Sequence, residues 1–141
     1  MNDFDLKIRD IYPGGLLSED ISTLQVNLGR HCNLACNHCH LECSASRTEQ
    51  MPQLVMQQVG ALADANPFRL IDVTGGAPEL HPLFQTFIED LCSRGHNVQV
   101  RTNLTTFADP KMRGMIYLLK EKHVSLVGSV ACFLVEYVVG Q

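Results

Sequence analysis

Residues Thr23 to His40 read TLQVNLGRHCNLACNHCH. From Thr23 to Leu28 (TLQVNL) apolar and polar side chains alternate, the period of a β-strand. Directly after that strand stand Cys32, Cys36 and Cys39, spaced C-x3-C-x2-C. In α/β folds the chemistry collects beyond the carboxyl ends of the strands, so these thiols lie where a site is expected.

Outward from this stretch, three more segments read as strands: Phe68–Thr74, Asn97–Asn103 and His123–Ala131. Three helices fall between them. Met51, Val55, Val59 and Leu62 form the stripe of the first, with Pro52 suited to its first turn. Leu83, Phe84, Phe87, Ile88 and Leu91 form that of the second, opened by Pro82 and ended by Gly95. Met112, Met115, Ile116 and Leu119 form the third, with Asp109 as N-cap before Pro110. The resulting β-α-β-α-β-α-β order implies an α/β fold with a parallel sheet. Residues 1–22 read as a loose arm, with a turn at Pro13-Gly14-Gly15, and residues 23–141 as the core.

Strand alternation separates two faces. Leu24, Val26, Ile71, Val73, Val98, Val100 and Leu126 fall on the side expected to meet the helices. Gln25, Asn27, Asp72, Thr74, Arg101, Asn103, Ser125 and Ser129 fall on the other. A barrel filled only for stability carries branched apolar residues there. The polar set therefore reads either as the solvated side of an open sheet or as a cavity built for a ligand.

The 141 residues suit one domain, and 45% hydrophobic with 18% charged residues is ordinary for a globular protein. A net charge of −4 and scattered basic residues give no nucleic-acid footprint. The acidic N-terminus MNDFDLKIRD does not read as a signal peptide, so a cytoplasmic location is expected. Val124–Val139, the most apolar stretch, contains Glu136 and is short for a bilayer span; it reads as a buried strand leading into a helix, and no membrane role is expected. Of the six cysteines, Cys32, Cys36, Cys39 and Cys43 cluster, which without a secretory signal points to a metal site.

Iron–sulfur cubanes are normally held by four thiolates. A triplet can ligate three irons and leave the fourth open to a substrate, as open positions do at other catalytic metals. The alternative is a zinc-binding interaction module, with Cys43, His38 or His40 completing a tetrahedron. After the second strand comes Thr74-Gly75-Gly76-Ala77-Pro78-Glu79, where the glycines allow the backbone to approach a ligand closely.

The cysteine spacing resembles that of the radical S-adenosylmethionine (SAM) superfamily. The resemblance implies a partial (β/α) barrel of that type, with about four parallel strands and three helices. It implies a [4Fe–4S] cluster on Cys32, Cys36 and Cys39, with SAM chelated to the unique iron and cleaved reductively to a 5′-deoxyadenosyl radical. By the same resemblance, His38 would touch the adenine. The loop Gly75, Gly76, Ala77, Pro78 and Glu79 (GGAPE, in place of the superfamily's GGEP) would bind the SAM amino group, and Asn103 and Ser129 its carboxylate and ribose. More narrowly, QVNLGRHCNLACNHCHLEC (Gln25–Cys43), RTEQM (Arg47–Met51), DVTGGAPELHPLF (Asp72–Phe84), VRTNLT (Val100–Thr105) and Ser129–Cys132 resemble the arsenosugar-biosynthesis radical SAM proteins. That likeness implies adenosyl transfer to a methylated trivalent arsenic, held by Cys43 or Cys132, with a reductant such as flavodoxin or ferredoxin. Where that family has proline this chain has Ala131. A full barrel takes about 250 residues, so the chain is expected to be truncated, and a non-catalytic remnant is a further reading.

Overall fold

The computed structural model describes residues 2–14 and 20–129. Strands β1 (Thr23–Asn27), β2 (Leu70–Thr74), β3 (Val98–Thr102) and β4 (Ser125–Gly128) are all parallel and lie in the sheet in chain order. Between them run α2 (Gln53–Asp64), α3 (Phe84–Ser93) and α4 (Arg113–Glu121). Sequential parallel neighbours make the wall of a (β/α) barrel; a doubly wound sheet reverses its order at a switch point.

Register puts Val26 beside Val73, Val73 beside Val100, and Val100 beside Leu126. The first three of this row are 3%, 0% and 0% exposed. They pack with Phe84, Phe87, Ile88 and Leu91, the expected stripe of α3, into one core. Each such side chain stabilises the fold by roughly 1.5–3 kcal/mol. Leu126, on the edge strand, remains 42% exposed.

The structure departs from the sequence reading at several points. The arm contains a helix, α1 (Asp3–Ile11), with the Asn2 side chain accepting from Asp5 N–H at 2.8 Å. It buries nothing, although Phe4, Ile8 and Ile11 recur at helical spacing along it, a stripe that the sequence reading passed over. Of the stripe expected for α2, Val59 packs against the core, as does Met51 just before the helix, but the buried face is Met56, Gly60 and Ala63, while Val55 and Leu62 are exposed. On this face Gly60 lies against the side chains of Asp90 in α3 and of Arg94 at its C-cap. Asp109 caps a 3₁₀ turn, Pro110–Met112, and α4 begins only at Arg113. The last strand ends at Gly128; Ala131, Cys132 and the Val124–Val139 stretch past Ser129 lie outside the described residues, as does Gly15. No helix among the described residues is long and apolar enough to cross a membrane.

Candidate metal and cofactor site

The segment after β1 leaves the sheet and returns, its base zipped by backbone bonds. Arg30 N–H donates to Glu49 O at 3.0 Å, Cys32 N–H to Ser44 O at 3.1 Å, and Met51 N–H to Leu28 O at 2.9 Å. The Gly75-Gly76 segment docks on this base: Gly76 N–H donates to Gly29 O and Ala77 N–H to His31 O, both at 2.9 Å. A Cβ on Gly76 would collide with the His31 carbonyl. The close approach for which Gly76 is needed is thus to the cysteine loop, and through it the second βα unit fixes the first. His81 adds a further tie. Its Nδ1 accepts from Leu83 N–H at 3.1 Å, which leaves Nε2–H to donate to Met51 O at 3.1 Å.

Above the strand ends lies a cavity of about 360 Å³, of the size that small-molecule sites occupy. Cys32, Cys36, Cys39, His38, Gly75, Gly76, Asn103 and Ser129 line it, so most of the residues singled out in the sequence share one hollow. Leu34, His40 and Cys43 line it too. Ala77 and Pro78 instead face a small adjoining hollow with Leu28, Gly29 and His31. Glu79 is 4% exposed and is not among the residues lining the cavity. Its Oε1 accepts from the hydroxyls of Thr102, at 2.6 Å, and of Thr106, while Oε2 is buried without a partner.

The described cysteines are thiols rather than disulfides. Burial pushes Cys32 up, against N–H groups of Leu34, at 3.4 Å, and Asn103, at 3.5 Å, that favour its thiolate. At Cys39 burial also acts upward, but the backbone N–H groups of Cys43, Leu41 and Glu42 and the Cys43 thiol outweigh it, and the pKa falls. Cys43 is pushed up to about 12, first by burial, then by its hydrogen bond to Cys39 and the nearby negative sulfurs. Cys43 therefore remains a protonated donor toward Cys39. Among the described residues, no three His, Cys, Asp or Glu side chains converge closely enough for a single ion. A tetrahedral zinc with bonds of about 2.3 Å needs sulfurs about 4 Å apart, whereas cubane thiolates each take a separate iron. The donor set, three thiols on one cavity wall with backbone N–H groups directed at the sulfurs of Cys32 and Cys39, fits a cluster, and the zinc alternative finds no support in it.

Below the cavity, the polar sheet face carries a network that the sequence reading did not assemble. Asp72 is 2% exposed and accepts from Gln25 and Gln99, each at 3.0 Å, and from Arg101 Nε at 2.8 Å. Burial opposes its charge, but these donors prevail and hold its carboxyl below the usual value. Gln25, Asp72 and Gln99 share one register row across β1, β2 and β3, and Arg101 lies two residues along β3; the row was readable once pairing was known.

A family model described as "Radical SAM superfamily" matches residues 26–130. Among solved structures, the chain is similar to SuiB of Streptococcus suis bound to S-adenosylmethionine, with a TM-score of 0.62 and 17% identity over 76% of this chain and 24% of that one. The likeness to SuiB bound to its precursor peptide SuiA has the same TM-score at 18% identity. At such identities the likeness is one of fold, and the chain spans about a quarter of the length of those structures. No curated protein matches it.

Proposed function

Because the chain belongs to the radical SAM superfamily, whose enzymes use a [4Fe–4S] cluster and SAM, we propose that Cys32, Cys36 and Cys39 hold that cluster here. The observation that carries this reading is the meeting of the cysteine triplet with Gly75, Gly76, Asn103 and Ser129 around one cavity. When bound, the cluster supplies the electron that splits SAM into methionine and a 5′-deoxyadenosyl radical. The chain's own residues bind and orient. The carbonyls of the Gly75-Gly76 turn, which lines the cavity, suit the SAM ammonium, and His38, exposed at the rim, offers a ring to the adenine. Ser129 Oγ, 3.4 Å from Thr102 O, sits at the mouth beside Asn103 and suits the ribose and carboxylate end. Ala77, Pro78 and Glu79 serve this site from behind, by fixing the turn that carries the glycines.

The finer reading is adenosyl transfer to a methylated trivalent arsenic, with electrons from a flavodoxin or ferredoxin. Its support is the run of residues from Gln25 to Cys43 and from Asp72 to Phe84. The test is anaerobic reconstitution with iron and sulfide, followed by reduction with SAM. The expected products are methionine and 5′-deoxyadenosine, and with a methylated arsenic(III) added, an adenosylated arsenical by mass spectrometry. A cluster-loaded, reduced protein that leaves SAM intact contradicts the general reading. Cleavage without an arsenical product contradicts only the finer one.

A further inference from the structure

Just past β3 the chain turns back over the cysteine loop, and the Asn103 side chain stands at the junction. Its Nδ2 donates to Cys32 Sγ at 3.5 Å and to Asn33 Oδ1 at 2.9 Å. Its Oδ1 accepts from Thr105 N–H at 2.9 Å and from Thr105 Oγ1 at 2.8 Å. Asn33 Nδ2 closes the ring by donating to Thr105 Oγ1 at 2.7 Å. These bonds settle which way the amide faces: a flip would set oxygen against oxygen at Asn33 and N–H against N–H at Thr105. The turn is held from beneath as well. Thr102 Oγ1 accepts from Leu104 N–H at 3.0 Å and donates to the buried Glu79, to which Thr106 also donates. Leu104 itself sits at φ 66°.

We propose that Asn103 is a positioning residue for the cluster: its amide N–H, clamped by Asn33 and Thr105, is a hydrogen bond onto the Cys32 sulfur that raises the cluster's reduction potential. The proposal rests on the reading of Cys32 as a ligand. It differs from a contact between Asn103 and the SAM carboxylate, which the resemblance implies. Hydrogen bonds to cluster sulfurs and outer-shell partners of metal ligands tune potential and ligand orientation. A donor at the thiolate stabilises the reduced state more, because that state carries the additional negative charge. Cys32 Sγ also accepts from Leu34 N–H at 3.4 Å, so removal of the Asn103 amide changes the potential without removing the ligand or its last donor.

Two variants separate this donor from the turn it also builds. Asn103→Asp keeps an oxygen to accept from Thr105 but has no N–H to give; Asn103→Leu loses both without adding charge. Each is reconstituted anaerobically beside the wild type, and iron and sulfide content, potential by redox titration, and electron–nuclear double resonance in H2O and D2O are measured. Both variants should bind iron as the wild type does, titrate at a more negative potential, and lack one exchangeable-proton coupling. A wild-type potential in Asn103→Leu, with a shift in Asn103→Asp alone, assigns the effect to added charge and overturns the proposal. If Asn103→Leu takes up no cluster, the proton coupling in Asn103→Asp decides, its retention overturning the idea. A wild type that retains no iron overturns the ligand reading itself and the proposal with it.

Discussion

The two faces of the same four strands have different work. On the helix side, Val26, Val73 and Val100 form a dry row under Phe84 and Ile88. On the other, Gln25, Asp72 and Gln99 form a polar row joined by Arg101, and the cysteine cavity opens at the carboxyl end of the sheet. One residue of register separates the rows, so a one-residue slip would exchange the dry row for the polar one. The comparison teaches that a dry core and a buried polar network are coded in alternate positions of one segment, and that substitutions on the strand faces and in the cysteine loop should affect different observables.

The largest effect expected is at the triplet. Cys36→Ser should abolish the cluster and its absorbance, while thermal unfolding of the cluster-free protein stays as in the wild type; retained iron at full stoichiometry would break the assignment. Phe84→Ala, in the dry row's cover and 0% exposed, should cost about 3–5 kcal/mol in a denaturant titration. Its folded fraction should still take up iron. Asp72→Ala sits between the two classes. It removes a buried carboxylate that accepts from three side chains, and should cost about 2–3 kcal/mol, with the cysteine loop intact by cluster uptake. Gly76→Ala puts a methyl group into the His31 carbonyl, and an overpacked contact of this kind costs about 1–3 kcal/mol. Cluster uptake should fall with stability, because this contact joins the two loops.

The smallest effect is one of pH. Asp72 has a folded pKa below its ordinary value of 3.8. Its contribution is therefore fully present above that value and is lost as pH falls through the lower, folded one. Asp72→Asn should flatten the loss of stability in the range below 3.8 and change little near neutrality beyond a constant offset; an unchanged acid limb would show that the carboxylate is not preferentially stabilised.

Much of this was legible in the chain itself. Alternation in TLQVNL and LIDVT, the stripe from Phe84 to Leu91 and the cysteine spacing are all local patterns, and they placed strands, a core helix and the thiols. What stayed hidden depends on distant partners. The packing side of α2 includes the small Gly60, which faces Asp90 and Arg94, partners that only the neighbouring helix supplies. Glu79 belongs by sequence to the glycine motif, yet its carboxyl turns to Thr102 and Thr106, which only the β3 exit supplies. Asn33 carries no motif signal, and its role follows from Asn103 reaching across from β3. Helix α1 was legible after all from Phe4, Ile8 and Ile11 at helical spacing, but the charges between them and its lack of buried residues made it read as a loose arm.

The most direct test of the central claim, that three thiolates leave one iron open to SAM, is magnetic resonance on the reduced cluster with SAM labelled by 15N at its amino group. A protein with about four irons bound should show a SAM-dependent change in its electron paramagnetic resonance signal and a resolved nitrogen coupling from the label. A reduced cluster whose signal is identical with and without SAM, and which shows no such coupling, would contradict it.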